Sequence, residues 1–237
     1  MVYNWLEALQ LRLWVPHCLL CGGPGSDGLD LCSGCRRELP RPAAACPRCA
    51  TPLPAGTGDR PCGRCLQAPP AFDAARAALL YRPPVDSLIT GLKFATRLAH
   101  ARLLGELLAE RLAAEPRPDC ILPVPLHPAR QRQRGFNQAI EIARFSARRL
   151  GLPLELDSCR RLRATLPQSG LSSGDRRRNL RGAFGLQRPP AGRHIAILDD
   201  VMTTGSTADA LARVLKAAGA ERVELWVCAR TPGHDSR

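Results

Sequence analysis

The stretch IAILDDVMTTGSTA, Ile195 to Ala208, brings an acidic pair and a hydroxyl-rich turn together within a few positions. Asp199 and Asp200 stand directly after the apolar run Ile195, Ala196, Ile197 and Leu198, and Thr203, Thr204, Gly205, Ser206 and Thr207 follow. Hydroxyls, a glycine and free backbone amides at the start of a helix are chemistry for a phosphate. The first N–H groups of a helix have no partner within it, and its dipole favours an anion. Next to two carboxylates, that chemistry suits a phosphorylated sugar.

A second pattern points to metal. Eight of the 11 cysteines form four CxxC pairs: Cys18 and Cys21, Cys32 and Cys35, Cys46 and Cys49, Cys62 and Cys65. A CxxC turn aims two thiolates at one tetrahedral ion, and two turns complete a closed structural zinc site. The segment between the pairs is rich in glycine and proline and poor in large apolar residues, so metal has to supply most of its folding energy. Values for zinc peptides are about 10 to 16 kcal/mol per site. Consecutive pairing (Cys18, Cys21, Cys32, Cys35; then Cys46, Cys49, Cys62, Cys65) closes short loops and is preferred on entropy; a crossed pairing stays open. Disulfides are the competing reading. They are disfavoured because the opening residues MVYNWLEALQLRLW lack a basic segment and a small-residue cleavage site, so a cytoplasmic, reducing setting is expected. The same residues carry Val2, Trp5, Leu6, Leu9 and Leu13 on one helical face, too short and too charged for a membrane span.

Basic residues outnumber acidic ones by 34 to 21, and all but Lys93 and Lys216 are arginine. With abundant alanine and proline, that imbalance fits a GC-rich genome, and the net charge of +13 is no proof of nucleic-acid binding. Local clustering is more telling. Thirteen arginines lie between Arg130 and Arg181 against four acidic residues, so a groove that tracks single-stranded DNA is a second reading. Only Phe136, Phe145 and Phe184 accompany them, which gives little base-stacking surface. There is no GxxxxGK[ST] and no GxGxxG after a strand, which excludes the common nucleotide-triphosphate and dinucleotide loops.

The elements that must position these residues alternate between strand and helix. Strands are expected at Ala77 to Tyr81, Cys120 to Val124, Leu152 to Leu156, Ile195 to Leu198 and Arg222 to Cys228. Helices are expected from Val85 to Phe94, about Leu98 to Ala114, about Asn137 to Leu150, and after Gly205. This alternation predicts an α/β fold with a mostly parallel sheet, whose ligands bind beyond the carboxyl ends of the strands. The loop Pro125 to Gln138 and the Thr203 to Thr207 turn then share one rim. The long polar segment Arg160 to Phe184 reads as a lid. Lys93 reads as a helix carboxyl-end residue, His100 as packing or surface, and Cys120, Cys159 and Cys228 as small buried hydrophobes. Residues 1–68 make one unit, an amphipathic helix with a double zinc ribbon, and 72–237 a second.

IAILDDVMTTGST resembles the phosphoribosyl diphosphate (PRPP) motif of type I phosphoribosyltransferases. The chain as a whole is similar to the ComF family of competence-associated proteins. PVPLHPARQRQRGFNQA at Pro123 to Ala139, the spaced Arg163, Thr165, Gln168, Arg176 and Asn179, and the four CxxC pairs carry that similarity. The resemblance implies a type I phosphoribosyltransferase fold behind an amino-terminal zinc ribbon. It implies that Thr203, Thr204, Gly205, Ser206 and Thr207 hold the 5′-phosphate of PRPP and Asp199 and Asp200 the ribose, with magnesium bridging ribose and pyrophosphate. Pro125, Leu126, His127 and Arg130 would complete the PRPP site, Arg130 and Arg134 would face the pyrophosphate, and the lid would close with Arg163, Arg176 or Arg177 to exclude water. The acceptor has no readable code. A non-catalytic DNA-binding or PRPP-sensing role, and a competence-machinery protein docked on the ribbon, are further implied readings.

Overall fold

A computed structural model describes residues 16–95, 98–163, 180 and 182–232. The helix expected over Val2 to Leu13, and Thr165, Gln168, Arg176, Arg177 and Asn179, lie outside the described residues.

The cysteine-rich part is mostly turns, with two short helices, α1 (Ser33–Glu38) and α2 (Gly63–Gln67), and a small antiparallel pair, β1 (Ala44–Ala45) with β2 (Pro52–Leu53). Each helix begins inside the second CxxC of its half. Cys32 caps α1, its Sγ accepting the Cys35 N–H at 3.4 Å, so the helix start itself turns both thiols towards the first pair.

The remaining chain is α/β. In order it forms β3 (Ala74–Leu80), α3 (Val85–Ala95), α4 (Leu98–Leu112), β4 (Cys120–Pro123), α5 (Pro128–Arg134), α6 (Gln138–Leu150), β5 (Cys159–Arg161), β6 (Phe184–Leu186), β7 (His194–Met202), α7 (Ser206–Ala217) and β8 (Arg222–Arg230). Four strands make one parallel sheet in the order β3, β8, β7, β4. The strand of the acidic pair, β7, is therefore interior. Successive side chains of a strand face opposite ways: Ile195 and Ile197 pack with Leu211 and Leu215 of α7, while Ala196 and Leu198 join the core formed with α4 and α6. Burial on both faces explains the unbroken apolar run.

Both halves of the ribbon rest on this sheet. The first docks on α4 through Arg36–Glu110 at 2.9 Å and a bond from Arg102 Nη2 to the Gly28 carbonyl at 2.7 Å, with Leu29 and Leu31 in the shared core. Further along, the Ala75 and Leu80 N–H groups of β3 donate to the Pro47 and Pro40 carbonyls at 3.1 and 2.8 Å. An edge strand with free N–H groups invites pairing with another chain; here the cysteine-rich segment occupies them.

Three expectations need correction. Leu152 to Leu156 is not a strand but a single parallel bridge, Leu154 to Ile121; Pro153 has no N–H and can only accept, which it does from Ile121 at 2.9 Å. Pro125 to Gln138 is not all loop. Pro128 at the first helical turn, His127 Nδ1 accepting the Ala129 N–H at 3.3 Å, and a left-handed Gly135 (φ 84°) enclose α5. The expected lid begins and ends as a two-stranded ribbon, β5 with β6, in which Arg161 pairs with Phe184.

Candidate functional site

The acidic pair sits near the carboxyl end of β7, which runs on to Met202. Asp199 Oδ1 accepts the Asp200 N–H at 2.9 Å, and Asp200 Oδ1 accepts the Val201 N–H at 2.8 Å. Asp200 is buried, and its Oδ2 meets Lys93 Nζ from the end of α3 at 2.6 Å. Among the described residues Asp199 has no ion pair of this kind. Burial and then the neighbouring Asp200 charge push its carboxyl well above the usual range, against the weaker opposing pull of the Asp200 N–H and Lys93. A proton, a cation or a hydroxyl donor is what this carboxylate lacks.

The turn after β7 is shaped by Gly205, which caps α7 at φ 81° and ψ 4° with no side-chain cap bond. A Cβ there would come 2.6 Å from Met202 Cε, so the position admits only glycine without rearrangement. Thr204 Oγ1 and Ser206 Oγ lie 2.8 Å apart, and a small hollow of about 50 Å³ is lined by Asp199, Thr203, Gly205, Ser206 and Thr207. Asp209, one turn into α7, is engaged outward with the Ala71 N–H at 2.7 Å and with Arg213 at 3.1 Å. The turn therefore presents hydroxyls and amides of a helix start beside the carboxylates.

Cationic side chains approach from the opposite rim. Arg134 Nη1 donates to Gln138 Oε1 at 2.6 Å. Burial and the charge of Arg130 lower its basicity, and Asp200 partly restores it. Arg161 on β5 is affected likewise, by burial, by Arg130 and, in the restoring sense, by Asp199; it also lies 5.6 Å from the Phe184 ring centroid. Asp199, Asp200, Arg130, Arg134 and Arg161 thus feel one another's fields. Asn137 fixes the root of this rim, donating to the Val124 carbonyl at 3.0 Å and capping α6 at the Ala139 N–H at 3.0 Å.

Of the residues expected from sequence, the structure brings together Asp199, Asp200, the Thr203 to Thr207 turn, Arg130 and Arg134 around one end of the sheet. Pro125, Leu126 and His127 join the same rim, with the His127 ring used as the α5 cap. Arg163 is exposed just beyond β5, and Arg176 lies outside the described residues. Sequence reading gave Lys93 no role at the acidic pair and did not name Arg161. Lys93 is one of two lysines in an arginine-rich chain, which was a usable signal; Arg161 carried none.

The metal centres follow the consecutive pairing. Within each set, Cys18, Cys21, Cys32 and Cys35, then Cys46, Cys49, Cys62 and Cys65, the Sγ atoms all lie within 4.8 Å of one another. Four converging thiols fit tetrahedral zinc. Burial opposes ionisation of Cys18 and Cys49, but backbone N–H groups at Cys18, and the Thr51 hydroxyl and amide at Cys49, outweigh it and hold both thiols down at about 6. By contrast, burial pushes the thiols of Cys120 and Cys159 up to about 11, as befits small core residues. His100 is buried too, its Nδ1 2.7 Å from the Leu88 carbonyl.

A double zinc ribbon joined to a four-stranded parallel α/β sheet defines the class of protein. Residues 9–66 match the double zinc ribbon domain family. The chain is 41% identical over 221 residues to the DNA utilization protein YhgH of Salmonella typhi, covering 90% of this chain and 96% of that one. It is 34% identical over 226 residues to competence protein F of Haemophilus influenzae, with the same coverage of 90% and 96%. It belongs to the ComF family that these proteins represent. Among solved structures it is similar to orotate phosphoribosyltransferase from Aeropyrum pernix, at TM-score 0.37 and 19% identity over 57% of this chain and 62% of that one. A purine phosphoribosyltransferase from Pyrococcus horikoshii gives TM-score 0.35 and 21% identity over 56% and 74%. Among the described residues no helix is long and apolar enough to cross a membrane.

Proposed function

We propose that this protein binds PRPP with magnesium at the end of β7 and transfers its ribose 5-phosphate to a nitrogen nucleophile. The observation that carries the reading is one juxtaposition: an acidic pair on an interior strand followed at once by a glycine-shaped helix start whose Thr204 and Ser206 hydroxyls converge. In this reading the amides and hydroxyls of Thr203, Thr204, Gly205, Ser206 and Thr207 hold the 5′-phosphate. Asp199 and Asp200 accept hydrogen bonds from the ribose 2′ and 3′ hydroxyls. With cationic partners in the complex offsetting the cost of its charge, Asp199 ionises and, with Asp200, stabilises the cationic sugar as the C1–O bond to pyrophosphate breaks and the C1–N bond forms. Pyrophosphate leaves with the bonding electrons, and the nucleophile's proton passes to solvent. Arg130 and Arg134 suit the pyrophosphate, because guanidinium groups pair with phosphate oxygens two at a time; Arg161 joins them. Magnesium, when bound, would supply charge neutralisation for the departing pyrophosphate.

Mixing the zinc-loaded protein with PRPP, magnesium and a panel of nitrogen nucleophiles should release pyrophosphate with at least one of them. Asp199→Asn with Asp200→Asn should lower that rate by about 100-fold or more. No release across the panel would contradict transfer.

A second reading has its own support. Arg130 and Arg132 are exposed on α5, 13 arginines fall between Arg130 and Arg181 in the sequence, and the relatives are named for DNA utilization and competence. In that reading the rim also holds single-stranded DNA during DNA uptake in the cytoplasm, with the ribbon, residues 1–68, as the docking unit for a competence-machinery protein and 72–237 as the ligand-binding unit. Single-strand binding whose logarithm falls with the logarithm of salt concentration at a slope of about −0.7 per phosphate contacted would bear this out. A flat salt response would count against it.

A further inference from the structure

Arg230 ends β8, and it is 2% exposed, an unusual place for a guanidinium. Every one of its nitrogens is used. Nε donates to the Cys49 carbonyl at 3.1 Å, and Nη2 donates to Thr51 Oγ1 at 2.9 Å. On the other side Nη1 donates to the Met202 carbonyl at 3.2 Å, the Thr203 carbonyl at 2.6 Å and the Thr231 carbonyl at 2.7 Å. Cys49 is a ligand of the second zinc centre, and Thr51 Oγ1 lies 3.2 Å from its Sγ. Met202 ends β7 and Thr203 opens the phosphate turn. One side chain therefore joins two regions about 150 residues apart in sequence. The two also face each other across a cleft of about 340 Å³, lined by Cys49, Cys65 and Arg64 on the ribbon side and by Thr204, Ser206 and Asp209 on the other.

Among the described residues the first zinc centre has no such link. Its half of the ribbon docks on α4, through Arg36–Glu110 and Arg102–Asp30. The two metal centres are thus inequivalent with respect to the turn.

We infer that Arg230 is a positioning residue through which the second zinc centre, and not the first, holds the Thr203 to Thr207 turn in its ligand-ready shape. With zinc on Cys46, Cys49, Cys62 and Cys65, the Cys49 carbonyl and the Thr51 hydroxyl are fixed acceptors. They pin one end of the guanidinium, and its other end pins the carbonyls that enter the turn. Loss of that metal frees Cys49 and Thr51 and removes two of the anchors. The turn then samples other backbone conformations, and amides that would face a phosphate no longer converge. Lysine is no substitute, since it offers a point charge with three donors in place of a planar fork of five. The inference rests on the phosphate-site reading only for its consequence on binding; the mechanical link stands on the bonds themselves.

The test uses the full chain in three variants: Cys62→Ser with Cys65→Ser, Cys18→Ser with Cys21→Ser, and Arg230→Lys. Zinc content should fall from two ions to one per chain in either cysteine variant and stay at two in Arg230→Lys. Hydrogen exchange of the Asp209 and Thr231 amides, which donate to the Gly205 and Met202 carbonyls of the turn at 2.8 and 3.1 Å, is then followed without ligand, with the α6 amides as the internal control. Exchange at these two amides should speed up by about tenfold or more in the second-centre variant and in Arg230→Lys, the scale set by hydrogen bonds to a charged group. It should stay at the wild-type rate in the first-centre variant, and α6 should be unchanged in all three. Equal acceleration by both cysteine variants, or none in the second-centre variant, would overturn the inference, and this holds even if Arg230→Lys fails to fold. Calorimetry with PRPP on the same samples separates the two readings: wild-type protein that ignores PRPP defeats the proposed function, whereas the exchange data still decide the link.

Discussion

Asp199 and Asp200 are adjacent in sequence yet electrostatically unlike. Lys93 neutralises Asp200 at 2.6 Å, and the burial of Asp199 next to that carboxylate raises the Asp199 pKa well above its ordinary value. The sign of the consequence follows from proton linkage. Below about pH 4, the unfolded value, Asp199 is protonated in both states and its contribution is intact; as pH rises, the unfolded chain releases its proton first, and stability falls until the folded value is passed. Asp199→Asn should therefore raise the melting temperature of the ligand-free protein at pH 7, by about 3 °C per kcal/mol recovered. The gain should shrink towards zero near pH 4, as melting curves of both proteins across that range will show. The same substitution removes a ribose acceptor, so stability and ligand affinity should move in opposite directions. The residues of this site were legible where they sit close in sequence. Asp199 to Thr207 form one run, and their types alone suggested phosphate chemistry. Lys93 and Arg161 reach the acidic pair only through the fold, and nothing in their local surroundings distinguishes a helix-end cation from a partner of a buried carboxylate.

The elements were legible by period and punctuation, and the misreadings come from single residues that override pattern. Pro153 interrupts the bonding of a segment whose leucines suggested a strand. His127, Pro128 and Gly135 enclose a helix inside a stretch read as loop. That helix matters to the site because it ends in Arg134 and hands the chain to Asn137, which is 4% exposed and bonded at both ends of its amide. Asn137→Ala loses the α6 cap and leaves the Val124 carbonyl without its donor, so it should cost about 2 kcal/mol in a denaturant titration. Asn137→Asp keeps the acceptor and loses the donor, and its loss should fall between wild type and alanine.

For the whole molecule, the ribbon is more than an appended metal module. It shares a core with α4, covers the outer edge of β3, and through Arg230 reaches the turn after β7. The CxxC spacing revealed the metal, and loop entropy favoured the consecutive pairing over the crossed one without deciding it; which half of the ribbon touches the sheet, and where, depends on surfaces that no local pattern encodes. Chelation should release two zinc ions per chain and expose the β3 edge. The apparent melting temperature should then drop and aggregation increase, read by light scattering during a thermal scan. Because zinc binds thiolates, for which protons compete, the metal should also become easier to extract as pH falls, as a zinc-indicator titration across pH will show.

The central claim is that the end of β7 holds a phosphoribosyl group, and calorimetry of the zinc-loaded full chain with PRPP and magnesium tests it most directly. Saturable binding at one site per chain, abolished by Asp199→Asn with Asp200→Asn while the folded structure persists, is the result expected. Wild-type protein that takes up no PRPP, or a double variant that binds it as well as wild type, would contradict the account.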